Sequence, residues 1–268
     1  IICFVGSLGG LLFGFDTAVI SGTFSFIEKY FSLNEIETGW FASSALIGAI
    51  IGAIVSGGLS DRFGRKPILM IAASLFFISA LGCTVPDSFI FLIIARIIGG
   101  VGVGMASVLS PLYISEFSPP KIRGKLIALY QLSIVIGILL AYLSNWLLLR
   151  FSKESISLFY ETDELYKIFV LDVWRGMFGF EMIPSGLFIL LLFFIPESPR
   201  WLIKNNKPEK GLSILTKISG TELAEKEFKE IKNSIYQFKG KLSELLRPGL
   251  RLALLVGIGL SVFGQLTG

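Results

Sequence analysis

Histidine is absent from this 268-residue chain, and cysteine occurs only at Cys3 and Cys83. The first absence removes histidine acid–base catalysis, histidine metal ligation and a histidine pH switch. The second leaves no disulfide framework and no metal-ligand spacing. Both cysteines stand in apolar segments and read as small core residues. Charge is scarce as well: Asp, Glu, Lys and Arg make up 16% of the residues, against roughly 25% in soluble domains. No nucleophile–base set or nucleotide-binding loop can be found. The glycine-rich run Gly99–Gly104 lies inside an apolar segment and reads as helix packing, so an enzyme is not expected. No cleavable signal peptide is evident, because the first apolar segment carries Asp16 and lacks a basic leader. The chain opens and stops inside hydrophobic runs, as a fragment cut at both ends would.

Apolar residues are what the chain has in quantity: 53% are hydrophobic and 13% aromatic, with a mean hydropathy of +0.75. They fall into six complete apolar segments and one truncated one. The segments run over Ile1–Phe24, Trp40–Leu59, Ile68–Val85, Phe89–Ile114, Leu126–Leu149, Trp174–Ile195 and Leu250–Gly268. A helix needs about 20 apolar residues to cross a bilayer. The pattern predicts an all-α integral membrane protein. Three parts are expected: a six-helix bundle over 1–195, a helical linker over 196–249, and the start of a seventh membrane helix over 250–268.

The connections set the orientation. The first carries Glu28, Lys29, Glu35 and Glu37, net −2, and the fifth is acid-rich, with Glu154, Glu161, Asp163, Glu164 and Asp172. The second and fourth are each net +2, and the sixth holds eleven basic residues against seven acidic. Basic residues mark cytoplasmic connections, so the even connections and the linker are expected inside. The formal charge of +4 therefore follows loop position and gives no sign of nucleic acid. Within the linker, Pro208 is expected to open one helix and Gly220 to close it. Thr221 can cap a second helix, with Leu223, Phe228, Ile231, Ile235 and Phe238 near helical spacing.

The organising stretch is Gly6–Gly22. Gly6, Gly10 and Gly14 make one smooth helical stripe where a second backbone can come close. Gly100 and Gly104 repeat the spacing in the fourth segment, a weak internal symmetry of the kind seen in repeat-built transporters. Asp16 stands inside the stretch. A carboxylate in hydrocarbon needs a cation or a cavity. Arg96 and Glu181 are the other ionisable residues well inside the complete segments. Counted from the segment ends, all three lie about 10 Å below the outer surface. They can form a desolvated triad in which Asp16 takes up a proton and releases Arg96, coupling protons to helix movement. The alternative is a static ion pair that fixes packing and moves nothing.

Four motifs narrow the reading. Connection two runs Gly57-Gly58-Leu59-Ser60-Asp61-Arg62-Phe63-Gly64-Arg65-Lys66, with glycines suited to a tight turn and charges at helix ends. Connection four runs Tyr113-Ile114-Ser115-Glu116-Phe117-Ser118-Pro119-Pro120-Lys121-Ile122-Arg123-Gly124. The sixth segment ends in Pro196-Glu197-Ser198-Pro199-Arg200-Trp201, and the chain ends in Gly264-Gln265-Leu266-Thr267-Gly268. Together they resemble the sugar porter family of the major facilitator superfamily, over essentially the whole chain. The likeness is to the six-helix N-terminal half, the linker helices and the start of helix seven, nearest the bacterial sugar–proton symporters of the xylose type.

The resemblance implies roles. Asp16, Arg96 and Glu181 match the proton-coupling residues; facilitative members of the family lack the aspartate and the glutamate. Phe13, Thr17, Gln131, Ile138 and Gln265 fall at sugar-site positions. Asp61, Arg62, Arg65, Glu116, Arg123, Glu197 and Arg200 fall at the cytoplasmic salt-bridge network. Two positions depart from the pattern. Gly264-Gln265 stands where a Gln-Gln pair is usual, and Ile138 replaces a polar residue, so hydrogen bonds that would select the sugar are missing. The function implied is passage of a monosaccharide or polyol through a plasma membrane (the inner membrane in a bacterium), with protons as the coupling ion and no other cofactor. The partners implied are the sugar, the lipid bilayer and a C-terminal half of the same transporter. An uncoupled facilitator and a non-transporting sugar sensor are the alternatives.

Overall fold

A computed structural model describes residues 2–119, 122–154, 166–237 and 249–266. Among them the chain is helical throughout. Five long helices come first: α1 (Ile2–Phe31), α2 (Glu35–Phe63), α3 (Arg65–Thr84), α4 (Phe89–Phe117) and α5 (Arg123–Glu154). A five-residue π-turn, Lys167–Leu171, leads into α6 (Val173–Gly179) and α7 (Met182–Phe194), which together make the sixth span. Then come α8 (Pro199–Lys204), α9 (Pro208–Ser219), α10 (Thr221–Gln237) and α11 (Arg251–Leu266). Among the described residues six spans are long and apolar enough to cross a membrane.

The helices outrun the apolar segments that announced them. α1 continues to Phe31 rather than Phe24, and α2 runs from Glu35 to Phe63 rather than from Trp40 to Leu59. Glu28 and Lys29, expected in a connection, are helical. The reason is physical: the bilayer core dictates where residues must be apolar, not where a helix must stop. Helix ends reach into water, where charge is welcome. Asn34 opens α2 with a capping box, its side chain accepting from Glu37 N at 2.9 Å while Glu37 Oε2 accepts from Asn34 N at 3.0 Å. The sharp turn after α2 is made at Gly64, whose φ of 106° only glycine adopts cheaply. Gly57 and Gly58, read as turn formers, lie inside α2 with nothing near them.

The expected backbone approaches are present. A Cβ on Gly10 or Gly14 would collide with Tyr130 or the Ile134 carbonyl of α5, whereas Gly6 faces Tyr113 and Ile114 of α4. In the same way Gly100 and Gly104 of α4 abut the Ala45 and Ala49 carbonyls of α2. α1 pairs with α5 as α4 pairs with α2, so the two glycine stripes serve equivalent contacts in each half of the bundle. In a bilayer such close packing, rather than a hydrophobic drive, holds helices together.

Two apolar clusters fill the bundle. One joins Leu8, Leu12, Phe76, Leu109, Tyr113 and Phe188 toward the linker end. The other joins Phe15, Phe41, Cys83, Leu92, Trp174 and Phe178 toward the opposite end. By contrast α2 and α5 turn apolar faces outward, including Leu46, Ile50, Ile54, Val135, Leu139 and Leu143.

The linker helices match the expectation: Pro208 stands at the start of α9, Gly220 ends it at φ 80°, and α10 begins at Thr221. Leu215, Ala224, Phe228 and Ile231 form a small apolar core, and Leu223 is exposed. Ile214 and Ile218 pack on the bundle. Phe238 and the side chain of Ile235 lie outside the described residues.

Candidate functional site

Mid-bundle, α1 and α4 bring Asp16 and Arg96 together: Arg96 Nη1 donates to Asp16 Oδ1 at 2.7 Å. Their side chains are 4% and 3% exposed. The guanidinium stacks on Phe178, 5.5 Å from the ring centre, and its Nε is buried without a partner. The pair sits where the two apolar clusters meet, Asp16 following Phe15 of one and Leu12 of the other.

Asp16 is farther from its helix end than the segment count implied. Fifteen residues of α1 follow it, about 22 Å of helix, because α1 extends well past the apolar run. Arg96 keeps its expected place, seven residues into α4.

Glu181 lies at the break in the sixth span, between α6 and α7. Pro184 accounts for the break. It has no N–H for the Phe180 carbonyl, which instead accepts from Ile183 N at 3.2 Å. Glu181 is 1% exposed and close enough to feel the charges of Asp16 and Arg96. Among the described residues, however, no ion pair joins it to Arg96, and its Oε1 is buried without a partner. The expected triad is thus a bonded pair with a third, unbonded carboxyl beside it.

Asp16 and Arg96 line a cavity of about 600 Å³ between α1, α2 and α4. Phe13 and Thr17 line it too, together with Ile50 and Ser107. Gln131 and Ile138 are seven residues apart on α5, hence on one face; Gln131 is exposed and Ile138 half-buried. Neither reaches this cavity. Gln265 falls within α11, and its side chain is outside the described residues.

A second charged group lies at the linker end. Arg65 is 9% exposed and donates to Glu116 at 3.1–3.2 Å, to Asp61 at 3.1 Å and to the Ser60 carbonyl at 3.0 Å. Glu197 accepts from the backbone N–H of Arg65 at 3.0 Å, of Lys66 at 3.3 Å and of Ser198 at 2.7 Å. Burial lifts its carboxyl above the ordinary range, while those backbone bonds pull the other way. Gly64 lies so close that a Cβ there would overlap Glu197 Oε2.

Of the seven expected gate residues, then, Asp61, Arg65, Glu116 and Glu197 come together. Among the described residues the other three are not drawn into ion pairs, as exposed helix-end charges need not be. Arg62 stacks on Phe63, Arg123 reaches the Ser118 carbonyl at 3.4 Å, and Arg200 is exposed. Several fasteners were not anticipated. Tyr113 donates to the Pro196 carbonyl at 2.5 Å, Trp201 Nε1 to the Asp61 carbonyl at 3.0 Å and Lys66 Nζ to the Phe193 carbonyl at 3.0 Å, and Lys204 pairs with Asp61 at 3.3 Å. Tyr113, Lys66 and Trp201 belong to the quoted motifs, so their place in the sequence was the available signal.

A family model described as "Sugar (and other) transporter" matches residues 2–268. The chain belongs to the sugar transporter family. It is 47% identical to the arabinose-proton symporter of Bacillus subtilis (strain 168), over 97% of this chain and 54% of that protein. It is 42% identical to the D-xylose-proton symporter of Escherichia coli (strain K12), over 100% of this chain and 57% of that protein. Among solved structures it resembles the proton:xylose symporter XylE bound to 6-bromo-6-deoxy-D-glucose (TM-score 0.82, 40% identity, 100% of this chain and 59% of that one). It resembles the partially occluded inward-open form of XylE from E. coli as closely (TM-score 0.83, 40% identity, 100% and 63%). The chain spans about half the length of the curated relatives it matches. Its fold is the six-helix N-terminal half of a major facilitator transporter, a multi-pass membrane architecture and not that of an enzyme.

Proposed function

We propose that the full-length protein carries a monosaccharide or polyol across a bilayer in symport with protons. Asp16 is the proton acceptor, Arg96 the cation that protonation releases, and Glu181 the neighbouring carboxyl that makes a second charge there unfavourable. The observation that carries this reading is the Asp16–Arg96 bond, buried at 2.7 Å yet lining a cavity of about 600 Å³ with Phe13 and Thr17. A buried pair with one bond can be opened by one proton. The names of the arabinose- and xylose-proton symporters support the same reading.

The exposed faces of α2 and α5, carrying Gln131 and Ile138, are where a C-terminal half would complete the sugar site and the alternating-access pathway. The domain division into bundle, linker and seventh helix follows from that arrangement, with the linker on the cytoplasmic side. Asp61, Arg65, Glu116 and Glu197 would close the pathway at that side. Uptake of labelled arabinose and xylose into vesicles, with and without an inward proton gradient, tests the proposal. Accumulation against the sugar gradient is expected only when the proton gradient is present. Equilibration without accumulation would make the protein a facilitator.

A further inference from the structure

Arg175 has no part in the reading above. It stands second in the expected sixth segment, where a charge survey passes over it. In the fold its side chain is 2% exposed. Nε donates to Asp172 at 3.1 Å, Nη1 to the Thr84 carbonyl at 3.1 Å, and Nη2 to Asp87 at 2.8 Å and to the Tyr30 hydroxyl at 3.1 Å. The guanidinium lies 4.5 Å from the centre of the Trp174 ring and 5.4 Å from that of Tyr30. Lys167 reaches Asp87 from the other side at 3.4 Å. One cation thus ties the end of α1, the final turn of α3, the connection before α4 and the start of α6. Its bond to Thr84 satisfies a carbonyl that the end of α3 leaves without a helical partner.

We infer that Arg175 is a positioning residue: it seats α6 so that Glu181 and Phe178 stand correctly against the Asp16–Arg96 pair. The inference rests on the proton-coupled reading. Thr84 is the link. Its carbonyl accepts from Arg175, and its hydroxyl oxygen lies where a Cβ on Gly179 would come within 3.1 Å. Gly179 is two residues before Glu181, and Phe178 carries the ring that faces Arg96. Glu181 needs an external anchor because its Oε1 has no bond of its own to hold it. The groups that face Glu181 are Asp16 from α1, Cys83 from α3 and Arg96 from α4. Those around Arg175 are Tyr30, Asp87, Asp172 and, through Asp87, Lys167. Because Arg175 is part of α6 (Val173–Gly179), loosening its bonds to Tyr30, Thr84 and Asp87 lets α6 shift and changes the distance from Glu181 to the first set.

The test uses full-length protein with Arg175→Gln and Arg175→Lys. Infrared difference spectra across a pH titration report the protonated carboxyl of Glu181, assigned by its loss in Glu181→Gln. Arg175→Gln is expected to move that band and to displace its titration by about one pH unit or more, tenfold in proton affinity. Proton-driven accumulation falls with it, the KM of sugar counterflow stays unchanged, and Arg175→Lys recovers part of the effect. If Arg175→Gln does not fold, Gly179→Ala presses on the same Thr84 contact and is expected to move the same band. An unmoved band in the folded variants, or no Glu181-dependent band at all, overturns the inference and leaves Arg175 a static anchor. Intact accumulation in Asp16→Asn would instead sink the symport reading, while the Glu181 band would still report on Arg175.

Discussion

The mid-bundle pair and the linker-end cluster each hold a buried arginine, and they hold it differently. Arg96 makes one side-chain bond, to Asp16, and leaves Nε unbonded. Arg65 uses all its guanidinium nitrogens on Glu116, Asp61 and the Ser60 carbonyl, while Glu197 grips its backbone. The first arrangement is expected to open when Asp16 loses its charge. The second, with several partners on one guanidinium, is expected to survive the loss of any one of them. The difference teaches that burial alone does not define a lock; the number of independent bonds does.

The sharpest way to break this comparison is by double substitution. Arg96→Leu leaves Asp16 buried and uncompensated and is expected to cost roughly 3–5 kcal/mol of stability. Adding Asp16→Leu should recover most of that loss, because among the described residues the two side chains hydrogen-bond only to each other. At the linker end Arg65→Leu should cost a similar amount, but adding Glu116→Leu should recover less of it, since the bonds of Arg65 to Asp61 and to the Ser60 carbonyl are lost as well. Thermal unfolding of the four variants measures both cycles. Equal recovery at the two places would erase the distinction.

A smaller effect separates the packed interior from the bundle's edge. Gly14→Ala drives a methyl into the Ile134 carbonyl and is expected to destabilise by about 1–3 kcal/mol. Gly39→Ala meets nothing within 4 Å and is expected to stabilise α2 by about 0.5–1 kcal/mol through helix propensity alone. Unfolding midpoints of opposite sign are the predicted result.

Much of this was legible in the residues, and what was not has physical causes. Asp16 and Arg96 could be paired by eye because hydrocarbon forbids either to stand alone. The glycine stripes announced close packing for the same reason that small residues permit it. Helix ends were misplaced because apolar runs report bilayer thickness, not helix length: Asp16 therefore seemed nearer its helix end than it is. Glu181 was foreseen as a bonded member of a triad, but among the described residues it stands at the helix break near Pro184 with Oε1 unpartnered and no ion pair to Arg96. Arg175 was missed because its partners, Tyr30, Thr84 and Asp87, are scattered along the chain and only the fold gathers them. At the linker end Arg62, Arg123 and Arg200 share motifs with the residues that do pair, and spacing alone does not tell which charges face inward.

Two lesser predictions concern the titration and exposure of charge. Glu197 is held above the ordinary carboxylate range by burial, so the folded state binds its proton more tightly than the unfolded chain. Its contribution to stability is full below the ordinary value and is lost as pH rises through the raised one. Glu197→Gln should flatten that part of the stability–pH curve, and an unchanged slope would mean that Glu197 is not its source. Last, Arg150 and Glu154 on α5 are paired at 2.8 Å but are 59% and 62% exposed. Glu154→Gln should change stability by no more than about 0.5 kcal/mol, a baseline for what an ion pair contributes outside the interior.

Sugar-evoked proton movement in liposomes holding the full-length protein tests the account most directly. With no imposed gradient, adding arabinose or xylose to the wild type should draw protons inward with the sugar. Asp16→Asn should still exchange labelled for unlabelled sugar while the proton signal disappears. A proton signal in Asp16→Asn equal to that of the wild type would contradict the role assigned to the buried pair.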